Sequence, residues 1–173
     1  MSFEPYPLQP KGTAVKLHAF AWTALLAAAV SHADFVRHRD NAPQTVPAKA
    51  QVQVINFWAA WCAPCRKEMP DMSKWYQSKG KKQKVFMTGI ALDSAENVEK
   101  FLHTTPVSYP VWRYTGKDSR NMMKTFGNKV GGLPYTVIRA PQCGHEEPIV
   151  GELTAARLDQ AVQKARAACR KKK

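Results

Sequence analysis

A run of β-branched and aromatic residues, VQVINFW (Val52 to Trp58), reaches a helical pattern at Cys62 across only three residues. The run is bounded by polar residues, which predicts a buried strand. From Cys62 to about Ser78, Met69, Met72, Trp75 and Tyr76 recur at spacings of three or four, and Gly80 ends the pattern. Pro70 falls inside that helix and removes one backbone donor, so a kink is expected. A strand feeding a helix this abruptly commits the chain to an α/β architecture. It also places Cys62 where unpaired helical N–H groups and the helix dipole converge.

The remaining elements follow from the same patterns. DFVRHRDNAPQTVPAKA (from Asp34) reads as a lead-in loop or short edge strand, and KVFMTGIAL (Lys84 to Leu92) as the next strand. Ser94 caps a helix over SAENVEKFL, with Asn97 where a capping box would carry Glu or Gln. YPVWRY is a short strand, DSRNMMKTFG a helix closed by Gly127, and GGLPYTVIRA and EPIVGEL two further strands. Thr154 caps a last amphipathic helix carrying Ala155, Leu158, Ala161, Val162, Ala165 and Ala168 inward. The order implies a mixed sheet with helices packed on it.

The chain has 173 residues, and 26 Lys and Arg against 13 Asp and Glu leave it at +13. Basic residues gather at Lys79, Lys81, Lys82 and Lys84, and again at Arg166, Arg170 and Lys171 to Lys173. No nucleic-acid motif accompanies them and no aromatics interleave with them, so nucleic acid is not expected as a partner. A solvated surface is the plainer reading, with weak electrostatic association with a membrane surface as the functional one.

Lys11 and Lys16 precede an apolar stretch from Leu17 to Val30, followed by Ser31-His32-Ala33. A positive flank, a short apolar region and small residues before Asp34 describe a secretory signal peptide over residues 1–33. The stretch is shorter than the roughly 20 residues that cross a bilayer. MSFEPYPLQPKGTA is rich in proline, and a start near Val15 gives a more ordinary export signal. Residues 34–173 then form one domain with a basic tail. Export to the periplasm, or anchorage to the inner membrane by an uncleaved segment, places it where disulfides persist.

Cys62 and Cys65 form a Cys-x-x-Cys pair. Structural zinc wants four ligands, usually as two such pairs, whereas Cys143 and Cys169 are 26 residues apart. A set built from Cys62, Cys65, Cys143 and His145 is the metal alternative. A redox pair requires the first cysteine to open a helix that stabilises its thiolate, and that requirement is met. No metal and no cofactor are expected.

FWAAWCAPC, Pro70 and GGLPYT together resemble the thioredoxin family over nearly all of residues 34–173. CRKEMP, GIALDSAENVEKFL and PVSYPVW are similar to its exported TlpA/ResA/CcmG (DsbE) branch. The resemblance implies a thioredoxin fold, a central mixed sheet flanked by helices on both faces. It implies a cis peptide at Pro134, a minority state outside tight turns, with Leu133 and Tyr135 flanking the backbone that pairs with a client. Asn56 stands where thioredoxin has a buried Asp, and Asn cannot titrate. Asp93 matches an acid of ResA-like proteins and is the expected proton-handling group; the alternative is that it only helps begin the following helix. Glu68 either tunes the thiols or is simply well placed near a helix N-terminus.

The expected chemistry is thiol–disulfide exchange, with Cys62 as exposed attacking thiolate and Cys65 as the buried resolving thiol. Trp61, Ala63, Pro64, Leu133, Pro134 and Tyr135 are the expected client-contacting residues; Ala63 and Pro64 also tune the potential. The partners implied are client proteins with thiols or disulfides and a membrane electron donor of the DsbD or CcdA type. A reductase, with apocytochrome c maturation as the first client system, competes with a disulfide-forming oxidase or isomerase and with a metal-binding module. Cys143 lies in the turn of the last hairpin and Cys169 at the end of the last helix. The strand leaving that turn and the helix returning over it each cover about 20 Å, so the two cysteines meet in a structural disulfide.

Overall fold

A computed structural model describes Met1 and residues 34–171. The expected signal segment, residues 1–33, falls almost wholly outside the described residues, as do residues 172–173. Among the described residues no helix is long and apolar enough to cross a membrane.

Strand β2 (Gln53–Trp58) is buried at every position and sits inside a six-stranded sheet. The other strands are β1 (Phe35–Arg37), β3 (Phe86–Ala91), β4 (Val111–Tyr114), β5 (Tyr135–Ala140) and β6 (His145–Val150), and the order is β1-β4-β3-β2-β5-β6. β2, β3 and β4 run parallel, while β1, β5 and β6 each pair antiparallel to their neighbours. Parallel neighbours require crossover helices. These are α1 (Ala63–Trp75), extended by a π-helical turn at Tyr76–Gly80, and α2 (Ala95–Thr104). The chain steps in one direction from β2 through β3 to β4, so right-handed crossovers put both helices on one face. α3 (Ser119–Lys124) precedes β5, and α4 (Ala155–Lys171) follows β6.

Side chains alternate along each strand, and the alternation divides the core. Val54 and Trp58 of β2, Met87 of β3 and Ile138 of β5 pack under α1, α2 and α4 with Met69, Met72, Phe101, Leu158 and Val162. Ile55, Phe57, Ile90 and Val137 face the other way, against Met123 of α3, Phe126, Trp112 and Phe35. Asn56 shares the α1 face with Val54 and Trp58. Of the two polar residues of β2, Gln53 is satisfied internally: it donates to the Pro47 carbonyl at 2.9 Å and accepts from Arg139 at 2.8 Å.

The strand–helix order expected from the sequence is the observed one, with two refinements. The first helix passes into a π turn after Trp75, where an added Cβ at Gly80 would stand 2.7 Å from the Tyr76 ring and 2.9 Å from that of Trp75. Only glycine lets the chain close so tightly over those rings. The last strand begins earlier than EPIVGEL suggests, at His145, because a short 3₁₀ turn (Pro141–Cys143) and left-handed Gly144 make the hairpin compact. Pro148 is tolerated in β6 because that strand is an edge.

Cys143, in the 3₁₀ turn, is bonded to Cys169 in the last turn of α4 with a Cα separation of 5.0 Å. This bond leaves Cys143 unavailable to a zinc set with Cys62, Cys65 and His145. It closes a loop of 26 residues, for which chain entropy gives a stabilisation of about 3–4 kcal/mol. Cys143→Ala/Cys169→Ala should therefore lower the unfolding free energy by about that amount in urea titrations while far-ultraviolet dichroism at native conditions stays unchanged.

Candidate redox site

Four segments meet at the C-terminal ends of the parallel strands. β2 ends at Trp58, whose carbonyl accepts the Leu92 N–H from the end of β3 at 2.8 Å. The antiparallel register pairs Phe57 with Tyr135, so one step further Pro134 faces Trp58. The Leu133–Pro134 peptide is cis. Behind it the Gly151 N–H, just past β6, donates to the Pro134 carbonyl at 2.9 Å.

Cys62 is the N-cap of α1 and is bonded to Cys65. Its sulfur accepts the Cys65 N–H at 3.3 Å, so an amide of the first turn already points at the atom that would carry thiolate charge. Ala63 and Pro64 form the exposed first two positions of the helix, where proline costs no hydrogen bond. Cys62 is less exposed than expected, at 4 % against 0 % for Cys65. The disulfide and the capping hydrogen bond draw its sulfur against the helix end, and it keeps only a small advantage in access. Trp61 beside it is 70 % exposed and packs into no core.

The two carboxylates expected near the pair lie in different surroundings. Asp93 is half-buried, and its oxygens accept from three N–H donors: Ala60 at 2.9 Å, Ser94 at 2.8 Å and the Asn97 amide at 2.8 Å. It ties the loop before Cys62 to the start of α2. Glu68 is buried one helical turn beyond Cys65, on the same side of α1, and lies too deep in the helix for the first-turn dipole effect. Its Oε1 accepts from the Asn56 amide at 2.8 Å and its Oε2 from the Leu153 N–H at 2.7 Å. Asn56 in turn donates to the Thr136 hydroxyl at 3.0 Å, on the paired position of β5. Burial pushes the Glu68 carboxyl up to about 7 despite these two donors, and the Glu152 charge adds to the rise. Tyr109, buried over Gly89, has its hydroxyl pushed above the usual phenol range by burial and then by the Glu68 charge. It stays a neutral group beneath the site.

The cis-proline turn is built by residues that sequence reasoning passed over. Asn128 is buried; its amide donates to the Gly132 carbonyl at 2.9 Å and its Oδ1 accepts the Gly131 N–H at 2.9 Å. Its place between Gly127 and Gly131 was the available signal. Tyr135 does not offer its ring to a client: the side chain is fully buried and its hydroxyl donates to the Phe126 carbonyl at 2.6 Å. The strand alternation that sends Phe57 into the α3-side core sends its partner Tyr135 there too. No backbone hydrogen bond among the described residues engages half-buried Leu133, which leaves that peptide free to pair with an extended segment.

The raised Glu68 value has a thermodynamic consequence. Folding favours its protonated form, so the stability it contributes is complete below about pH 4.5 and is lost as pH rises through about 7. The loss amounts to something on the order of 3 kcal/mol by pH 8. Urea unfolding of the oxidised protein across this window should show the decline, and Glu68→Gln should flatten it; parallel pH profiles would remove Glu68 as its source.

The comparisons with known proteins agree with this geometry. Residues 35–143 match the AhpC/TSA family model. The thiol-disulfide oxidoreductase ResA of Oceanobacillus iheyensis is 32 % identical over 107 residues, which are 61 % of this chain and 53 % of that protein. The chain thus spans about half the length of that relative. The crystal structure of a thioredoxin-related protein from Neisseria meningitidis serogroup B is 54 % identical, covering 77 % of this chain and 98 % of that one, with a TM-score of 0.73. A putative thiol:disulfide interchange protein DsbE from Chlorobium tepidum is 25 % identical over 68 % of this chain and 82 % of that one, with a TM-score of 0.56. With a thioredoxin fold, a Cys-x-x-Cys disulfide opening α1 and a cis-proline turn facing it, the chain belongs to the AhpC/TSA family.

Proposed function

We propose that the chain is an exported thiol–disulfide oxidoreductase that reduces disulfides of client proteins, with cytochrome c maturation as its first client system. The observation that carries the reading is the Cys62–Cys65 disulfide at a helix N-terminus with a titratable carboxyl one turn below it. The names of the ResA and DsbE relatives support it.

In the reduced state the Cys62 thiolate attacks one sulfur of a client disulfide, and the other client sulfur leaves as a thiolate that takes up a proton. Glu68, ionised, accepts the Cys65 proton. The Cys65 thiolate then attacks the Cys62 sulfur, restoring the disulfide and releasing the second client sulfur, which is protonated in turn. Two electrons pass to the client and two protons follow them. In this reading Glu68, rather than Asp93, handles the proton, and Asp93 holds the loop. Leu133 offers backbone pairing beside Pro134, while Trp61, Ala63 and Pro64 form the exposed rim. Re-reduction requires electrons from across the membrane, which implies a donor of the DsbD or CcdA type and a periplasmic or membrane-anchored location.

Equilibration of Cys62–Cys65 in graded thiol–disulfide buffers tests the direction. A potential near −270 mV, as for thioredoxin, supports the reductase, and one near −120 mV would make the protein an oxidant and end the cytochrome reading (both roughly). Cys62→Ser should abolish exchange, and Cys65→Ser should accumulate mixed disulfides with exported proteins, seen as bands lost on reduction.

A further inference from the structure

Next to Cys62 in the chain, Trp61 joins residues of α1 and α2 in lining a groove of 390 Å³, with Arg66, Asn97, Lys100 and Phe101. Its floor is aromatic and its rim is cationic. Arg66 follows Cys65 directly on an exposed face of α1, and no carboxylate among the described residues pairs with it. Lys100 pairs only with Glu96, at 2.7 Å across one exposed helical turn, a contact weak enough for a competing carboxylate to displace. The acids that could oppose this charge are engaged: Asp93 with three N–H donors, Glu152 with Lys67 at 2.8 Å, and Glu68 in the interior. Across the cis-proline turn, exposed Arg120 lies against Gly131 and adds a further cation.

We propose that this groove is a specificity site that docks an acidic segment of the client protein next to the cysteine attacked by Cys62. The inference rests on the redox reading above and supplies its substrate class. A groove this short, lined by Trp61 next to the reacting Cys62, suits a few residues flanking a client cysteine. Trp61 gives the segment an apolar surface, and Arg66 and Lys100 select carboxylates. An exposed ion pair changes an association constant by up to about fivefold, and two together by about tenfold.

The test uses the reduced full chain and three synthetic peptides that share one intramolecular disulfide and differ only in flanking Glu, Gln or Lys. At low ionic strength the second-order rate constant for the Glu peptide should exceed that for the Gln peptide by about tenfold, and the two should converge at high salt. Arg66→Gln/Lys100→Gln should bring that ratio to about two or below. Lys49→Gln/Lys82→Gln removes the same charge at the far end of the sheet, about 20 Å away, and should keep it. Equal Glu and Gln rates in the unaltered chain overturn the proposal, as does an equal loss of preference in both double variants, which would assign it to net charge.

Cysteine-free Glu and Gln peptides added to the oxidised protein read the groove without any redox step. The Trp61 indole resonance should shift with the Glu peptide only, and no shift overturns the groove. A shift without peptide reduction by the reduced chain would instead overturn the redox function.

Discussion

Helix α1, strand β2 and the loop after β6 are tied together at one buried carboxyl, one helical turn beyond Cys65. Glu68 stands between α1, β2 and the loop that follows β6, accepting from Asn56 of the strand and from the Leu153 backbone of the loop. An ionised carboxylate in such a place costs several kcal/mol of lost hydration, only partly offset by two donors. The protein answers by holding the group near the middle of its titration at neutral pH. The carboxyl therefore does two things at once. It pins the end of the sheet beneath the helix that carries the cysteines, and it can take or give a proton there.

Asp93 and Glu68, two acids near the same cysteine pair, sit in contrasting environments. Asp93 is half-buried and meets three N–H donors, two from backbone and one from Asn97. Those bonds organise a turn, here the approach to Cys62 and the start of α2. Glu68 meets two donors in a buried setting, and that burial raises its carboxyl. Asn56 is the hinge of this arrangement. Where a second acid at the same spot would have to share a proton with Glu68, an amide orients that carboxyl without competing for charge.

Much of this could be read from the chain, and the boundary is instructive. The run from Val52 to Trp58, the abrupt helix at Cys62 and the meeting of Cys143 with Cys169 follow from local patterns or path lengths, and the cis peptide at Pro134 follows from the family resemblance. The surroundings of Glu68 do not. They are set by Asn56, 12 residues away, and by Leu153, 85 residues away, and neither contact leaves a mark in the sequence around Glu68. The burial of the Tyr135 ring was legible in principle, since strand alternation assigns it to the side opposite Thr136; the family pattern drew attention to its backbone instead. The burial of Cys62 reflects its bonded state, which composition does not encode.

The same carboxyl bears on the direction of electron flow. Two opposing influences act on a thiolate at Cys62. The helix N-terminus and the Cys65 amide stabilise it, which would favour the dithiol and make the disulfide oxidising, since an oxidant of this kind owes its strength to a stabilised reduced form. Glu68, one turn below Cys65, opposes any negative charge on the pair and gains protonation when one appears. Reduction of the disulfide is thereby coupled to proton uptake in the interior, and the dithiol loses part of the advantage that the helix gives it. A buried acid beneath the cysteines thus shifts the balance toward the disulfide. That is the direction the proposed reductase requires.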